Sequence, residues 1–585
     1  MGYKDTFEST VVANLDFDQK LDFITKGLSF KALISFKNWS YNSKYRLQGY
    51  NTYQLTDYTK NEDGTYNYTV NSIGDATNHT LDSFFGTDGD RRFYIQGYFN
   101  YDRAFGDHHV GGMLLYNQDE YNSNFNSSLL NSLPKRRMGI AVRAAYDYAN
   151  RYLFEFNAGY NGSENFAKGH RFGFFPSVSV GWNISQEKFW EPIRNIVSNF
   201  KIRGSYGLVG NDQVPYTRFL YMGITTLNDS PSYQTGYGSH KESHNGPTFS
   251  RFENEDMTWE VGHKLNVGAD IQLFNSLNLT VDAFREIRSN ILTTKGSIPN
   301  YLGAANTVIY GNFAKVKNWG VDLAVDYGKQ INRDLSIQFK GTFTFARNRV
   351  METDEAADIR PALSAVGKPL NTLWGYVADG LYIDEADIAN NPTSTLGNIT
   401  IAAGDVKYVD QPDVNGNYDG QIDSDDRVAI GHPTIPEIIY GFGPSITWKK
   451  WDFSVFFQGQ ANVSLMMSGF EPFGTQSKNN VLEWIAEDYW SKENQNPNAK
   501  YPRLTKYNNN NNMQSSTYWL RNAAFLKLKN AEVGYNFKWG RVYMSGTNLL
   551  TFSPFKLWDP EMGGGKGMAY PTQRTFNLGV QITFK

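Results

Sequence analysis

The chain has 585 residues, with 56 basic and 59 acidic side chains and a formal charge of −3, so it presents no basic field for nucleic acid. It contains no cysteine, which excludes a disulfide framework and thiolate metal sites. Mean hydropathy is −0.51 and no apolar run approaches the ~18 residues of a membrane helix, yet aromatic residues reach 15%.

Segments of alternating character recur along the chain. In order they include Phe93–Phe99, Phe154–Tyr160, Val178–Ile184, Leu265–Ile271, Leu277–Ala283, Val321–Val325, Ile337–Phe345, Phe453–Phe457 and Val533–Phe537. The final one, residues 574–584, places Phe576, Leu578, Val580, Ile582 and Phe584 on one face. Thr575, Asn577, Gly579, Gln581 and Thr583 fall on the other, because successive strand residues point to opposite sides. About 16 such strands are predicted by their period of two. Many pair across short turns, as at Phe105-Gly106-Asp107-His108 and Trp448-Lys449-Lys450-Trp451. That is the connectivity of an antiparallel meander. Strands of about ten residues with one apolar and one polar face suit a transmembrane barrel with a wet lumen. A soluble extracellular glycan-binding sandwich shows the same alternation.

Between the pairs lie long polar stretches near 56–91, 211–256, 352–436 and 459–519. Unstructured connections of that length are uncommon in a compact soluble domain, while a barrel carries short turns at one end and long loops at the other. The whole of 1–585 therefore reads as one all-β, transmembrane antiparallel β-barrel with long extracellular loops. Asn508 to Asn512 form a polar low-complexity run within the last loop. Val481, Trp484, Ile485 and Tyr489 recur at helical spacing and predict a short helix over 481–490.

The strongest local chemistry is at 415–426. With Asn415 as position 1, oxygens fall at Asn415, Asn417 and Asp419, glycine at Gly420, a backbone carbonyl at Gln421, and acids at Asp423 and Asp426. This is the layout of an EF-hand-type Ca2+ loop, which needs hard oxygen donors around a sharp glycine turn. An Asx-rich turn held by hydrogen bonds alone is the competing reading. No serine-nucleophile, zinc-protease or phosphate-loop motif is present, so no enzyme activity is expected. His108 and His109 at a turn, and His240 and His244 in a polar loop, read as solvated. Tyrosines and tryptophans of the loops and lumen offer flat faces for sugar rings, or form an aromatic girdle at the membrane boundary.

Several stretches, in order, resemble the SusC/RagA family of TonB-dependent outer-membrane transporters. They are Arg171–Gly181 with Trp182, Lys201–Gly207 with Gly210-Asn211, and Asp256–Glu260 followed by Leu265–Gly268. Asn318–Asp322, Gly404–Asp410, Asp419–Asp423 with Asp426-Arg427, Asn496–Arg503, Ser545–Leu550 and Asp559–Glu561 complete the series. The resemblance implies a bacterial outer-membrane, multi-pass importer of oligosaccharides or peptides that works with a SusD-like surface lipoprotein. Family members also carry an N-terminal plug domain and a TonB-contacting segment, and plugged transporters have about 22 strands. Neither part is recognised in these residues, nor is a secretory leader after Met1. The expectation is an incomplete barrel whose contact with TonB runs through a missing region, with a passive pore or a non-energised fragment as the alternative. Such a barrel has either two unpaired sheet edges or an off-register closure.

Overall fold

The computed structural model describes residues 2–47, 49–74, 82–124, 129–213, 218–296, 309–356, 359–469, 481–505 and 509–584. Seventeen strands belong to one large antiparallel sheet. They are β1 (Gly2–Lys20), β2 (Leu28–Leu47), β3 (Asp82–Phe105), β4 (His108–Ser123), β5 (Lys135–Tyr148), β6 (Tyr152–Ser163), β7 (Phe172–Asn183), β8 (Val197–Asn211) and β9 (Glu260–Leu273). There follow β10 (Leu277–Thr294), β11 (Tyr310–Asn332), β12 (Leu335–Glu352), β13 (Ile438–Trp448), β14 (Trp451–Ala461), β15 (Phe525–Phe537), β16 (Gly540–Phe552) and β17 (Thr575–Ile582). The chain divides into two compact units.

The first unit comprises Met1–Tyr146, Phe156–Pro176 and Asp212–Met222. Here β1 pairs with β2, β2 with β3 and β3 with β4. The register sets Leu15 opposite Ile34 and Ile34 opposite Ile95, all on the apolar face. Phe30 joins the same face, its ring 4.9 Å from that of Phe99 and 6.1 Å from that of Phe17. On the polar face Arg92 grips Asp119 with bonds of 2.6 and 3.0 Å, and Ser35 donates to Asn14 at 2.7 Å. The stretch 56–91, expected as loop, is largely strand. Thr52–Lys60 and Tyr66–Gly74 form a separate two-stranded ribbon, and Asp88 to Arg91 continue β3 against β2. Ladder hydrogen bonds come from the backbone, so polar side chains alone do not end a strand.

The second unit comprises Asp147–Glu155, Ser177–Asn211 and Gly223–Lys585. From β7 to β17 every strand pairs with the next in sequence, an uninterrupted meander. Two-residue turns with positive φ at Ala149-Asn150 and Phe274-Asn275 match the right-handed twist of their flanking strands. The polar face carries ion pairs in rows. Arg203 takes both oxygens of Asp282 at 2.7 Å and reaches Asp270 at 3.1 Å, and Arg288 bridges Glu260 at 2.9 Å and Glu286 at 2.8 Å. The opposite face is apolar and exposed, with Val321, Phe343, Phe442, Phe453, Met544 and Phe576 among its side chains. Among the described residues β1 pairs with β2 alone, and β17 with β16 alone. Residues 211–256 also hold a ribbon, Ile224–Thr235 against Glu242–Arg251.

Candidate functional site

The long connections after β12 and β14 are folded structure. Short pairings knit them together: Leu373–Gly375 with Val428–Ile430, Ala378–Leu381 with Val406–Tyr408, and Ser464–Met466 with Leu520–Asn522. Two apolar cores fill the assembly. One gathers Tyr376, Leu381, Val406, Tyr408, Ile422 and Trp490, and the other Val463, Leu465, Met467, Ile485, Tyr501 and Trp519. Apolar side chains scattered through polar stretches thus converge once the backbone turns, a pattern that local periodicity does not reveal.

At the centre lies Asp405, fully buried. Its carboxylate accepts from Arg503 Nε at 2.7 Å and Nη2 at 2.9 Å, from Asn509 at 2.8 Å, from Asn512 at 2.9 Å and from the Ala402 amide at 2.9 Å. A buried carboxylate needs this many donors to offset its lost hydration. The asparagine run is correspondingly interior: Asn509, Asn511 and Asn512 are all buried. Asn511 donates to the Val406 carbonyl and accepts from Ser394, while the Asn512 carbonyl accepts from the Trp519 indole. Each of these amides satisfies backbone or charged groups that water cannot reach. Residues 506–508 lie outside the described set.

The predicted helix over 481–490 is shorter, Glu483–Ala486. Tyr489 bridges to Tyr501 and the Trp490 amide donates to the Tyr501 carbonyl, so the chain leaves helical geometry early. Its apolar residues still bury as the spacing implied, Ile485 in the core with Trp484 and Val481 against it. Beyond β16, Asp559 and Glu561 reach back to Lys527 of β15, whose ammonium is buried and makes bonds of 2.6, 2.6 and 2.5 Å to them. Neither Asp405 nor Lys527 is recognisable from its neighbours as a hub, because the partners lie 98 and 32 residues away.

The six predicted ligands fall into three local groups, Asn415 with Asn417 at Asp413, Asp419 with Gln421, and Asp423 with Asp426. Asp419 folds back onto the Gln421 amide, Asp423 caps the Asp425 amide, and buried Asp426 accepts from the amides of Asp423 and Gln411. Asn417 donates to Asp413, which also takes the amides of Asn415 and Asn417. Asp413, outside the predicted set, is therefore the hub of the turn. Among the described residues no three His, Asp or Glu side chains gather, and in this arrangement the side-chain oxygens of Asp419, Asp423 and Asp426 accept from backbone amides. Gly420 (φ +74°) supplies the left-handed turn that the pattern required, and Gly416 (φ +86°) supplies a second.

Electrostatics follow from these contacts. The backbone amide of Asn417 holds the Asp413 carboxyl below the usual carboxylate range, whereas burial pushes Asp426 up. Burial also raises the Tyr408 phenol, which donates to the Asn511 carbonyl at 2.7 Å, and pushes Tyr501 up to about 12. At the β3–β4 turn exposed His108 bonds the Tyr146 hydroxyl at 2.8 Å and half-buried His109 bonds Asp102 at 3.2 Å.

Where the polar face of β10 to β12 meets residues 370–371 and 433–437, a cavity of about 310 Å³ opens. Glu286, Arg288, Asn318, Asn348, Asn371 and Glu437 line it with charged and amide groups. No sequence motif marks it, since its residues come from three strands and two loop ends.

Known proteins share this architecture. The chain is 26% identical over 479 residues to TonB-dependent receptor P3 of Formosa agariphila, covering 76% of this chain and 45% of that protein. It is 24% identical over 464 residues to TonB-dependent receptor SusC of Bacteroides thetaiotaomicron, covering 76% of this chain and 43% of that one. The chain thus spans about half the length of the curated relatives it matches. In the solved structure of the RagAB peptide transporter, one chain shares the fold with a TM-score of 0.72 at 19% identity, over 99% of this chain and 62% of that one. The family model described as TonB dependent receptor-like, beta-barrel matches residues 2–549, and with the two-faced meander this places the chain in that family of outer-membrane β-barrel proteins.

Proposed function

We propose that the chain forms the membrane-spanning wall and outer loops of an importer of oligosaccharides. Its loop assembly is the seat for a SusD-like surface lipoprotein, and coupling to TonB runs through the family's plug region. The observation that carries the reading is the cavity of about 310 Å³ on the polar face, at the small end of the usual range for ligand pockets. Its amides and paired charges, those of Asn318, Asn371, Glu286 and Arg288, supply donors and acceptors to a hydroxyl-rich ligand. The loops beside it have buried cores, so a partner docks on a surface already ordered and spends little on folding it.

The test is calorimetric titration of the purified chain in detergent with a panel of linear oligosaccharides and of peptides. Binding of an oligosaccharide that weakens about tenfold in Asn318→Leu supports the reading. Binding of peptides alone transfers the site to the other substrate class. No binding by either class, with or without a co-purified lipoprotein, overturns the cavity as the ligand site.

A further inference from the structure

The apolar face of the second unit contains a cleft of about 320 Å³, lined by residues of β13 to β17. Its floor is a row of cross-strand neighbours. Val455 is paired with Ala531, Ala531 with Gly546 and Gly546 with Phe576, and Pro444 begins the row beside Val455. Larger side chains stand over the small ones: Ile446, Phe453, Val533 and Met544 form one wall, and Leu549 and Phe576 close the other side. Pro444 breaks a rule here. It lies in an interior strand, where proline forfeits a ladder bond, and the pairing of β13 with β14 skips Gly443 and Pro444. The β13–β14 ladder is interrupted at the place where the membrane surface is hollow, while Pro444 stays paired with Phe339 of β12.

A hollow in a lipid-facing wall fills with acyl chain, because a void forfeits dispersion contacts on one side. What selects the lipid is next to it. The β13–β14 turn carries Lys449 and Lys450, and the β15–β16 turn carries Lys538. The Lys449 ammonium folds over the ring of Trp448, 5.6 Å from its centroid, and Trp539 packs edge-on against Phe537 at 5.0 Å. Ile446 is three residues from Lys449, roughly 10 Å, and Met544 six from Lys538, roughly 20 Å, at about 3.4 Å per residue. The separation suits a glycerol backbone between a headgroup at the lysines and a tail in the cleft. The neighbouring β11–β12 turn adds Arg333 and Asp334, which offset each other in charge. Short turns lie on the periplasmic side of outer-membrane barrels, which points to a lipid of the inner leaflet.

We propose that this cleft is a binding site for one anionic phospholipid, an acyl chain resting on Pro444, Val455, Ala531 and Gly546 and its phosphate facing Lys449, Lys450 and Lys538. The experiment uses the whole chain purified in mild detergent. Native mass spectrometry counts bound dioleoylphosphatidylglycerol against dioleoylphosphatidylcholine, and a phosphatidylglycerol with a photoreactive tail maps contacts by peptide sequencing. The expected result is one retained phosphatidylglycerol cross-linked within 444–455 or 531–546. Ala531→Leu, which fills the cleft with apolar volume on a lipid-facing surface, should weaken retention about tenfold. Replacing the three lysines by glutamine should lower affinity for phosphatidylglycerol about fivefold per lysine and leave phosphatidylcholine unchanged. Several outcomes overturn the site. One is equal retention of the two lipids; another is an Ala531→Leu protein that binds like wild type while only the lysine variant fails. Cross-links scattered over the whole apolar face, or a second copy of the chain in place of lipid, do so too. If Ala531→Leu does not fold, the cross-link map of the wild type decides alone.

Discussion

Arg503 holds Asp405 by two parallel hydrogen bonds, 2.7 and 2.9 Å long, across 98 residues of chain. Both residues belong to stretches that look unrelated in sequence, one glycine-led and one proline-flanked. Their pairing fixes the loop after β12 against the loop after β14, and Asn509 and Asn512 complete the same carboxylate's shell. These two loops are therefore joined at one fully buried carboxylate.

Asp405→Ala should unfold that assembly locally, with the sheet left intact. Removing the acceptor strands a guanidinium and two amides in the interior, a loss of about 3–5 kcal/mol for a broken buried pair. Hydrogen exchange should accelerate at the amides of residues 402–412 and 509–514 and stay slow in β12 and β13. Arg503→Lys, which keeps the charge but not the fork, should cost less. Unchanged protection in Asp405→Ala would assign the order of these loops to their apolar cores alone.

The asparagine run gives a sharper contrast. Asn511 is buried with both amide functions engaged, whereas Asn510 is exposed. Asn511→Ala should destabilise the assembly by about 1–3 kcal/mol and Asn510→Ala by almost nothing. Proteolytic susceptibility of the 371–430 segment measures both. Equal effects would return the run to the solvated loop that its composition suggests.

Much of the fold was legible in the sequence, and the reason is the period of two. Phe576, Leu578, Val580 and Ile582 alternate because one face meets lipid, and the same logic recovers β3, β9, β10, β12 and β15 from short cores such as Phe93–Phe99. The strands' full lengths were not legible, since Asp88 to Arg91 pair through backbone that any side chain permits. The site was less readable still. Polar composition marked 352–436 and 459–519 as loops, but Val406, Ile422, Trp490 and Trp519 bury through contacts of long sequence separation. Gly420 stands at a left-handed turn, as its place in the pattern implied. The oxygens beside it announced that they accept, and backbone amides and calcium compete for that property.

Lys527 and Asp559 set a pH dependence. Burial pushes the Asp559 carboxyl up, and the Lys527 ammonium together with the hydrogen bonds of the Glu561 amide and Thr572 more than reverses this, leaving it below the ordinary value. A carboxyl lowered on folding contributes stability above its unfolded value, near pH 4, and that contribution is lost as pH falls through the folded value. The closing segment 553–567 should stay attached to β15 at neutral pH and detach only in acid below about pH 4. Lys527→Met should abolish this acid step and, by leaving two carboxylates facing an apolar stem, detach the segment already at neutral pH. Cleavage by a protease active across that range reads both, and an unaltered acid profile in Lys527→Met would remove the ion pair from the explanation.

For the 410–426 loop the structure predicts indifference to calcium. Convergence of six oxygens at roughly 2.3–2.6 Å would require Asp419 to release the Gln421 amide and Asp423 the Asp425 amide. Asp426 would have to turn from the amides of Gln411 and Asp423 as well. Each release exposes a donor that the present turn satisfies, at about 1 kcal/mol or more apiece. The cation must outbid all of them with a neutral Asn415 in the first position, where this type of loop relies on charge. Terbium luminescence should accordingly show no saturable signal that distinguishes wild type from Asp419→Ala. Asp413→Ala, in contrast, should loosen the turn in the absence of any metal, because two amides lose their common acceptor. A saturable terbium signal that disappears in Asp419→Ala would show that the loop reorganises around a cation, and that its hydrogen-bonded form is the state without one.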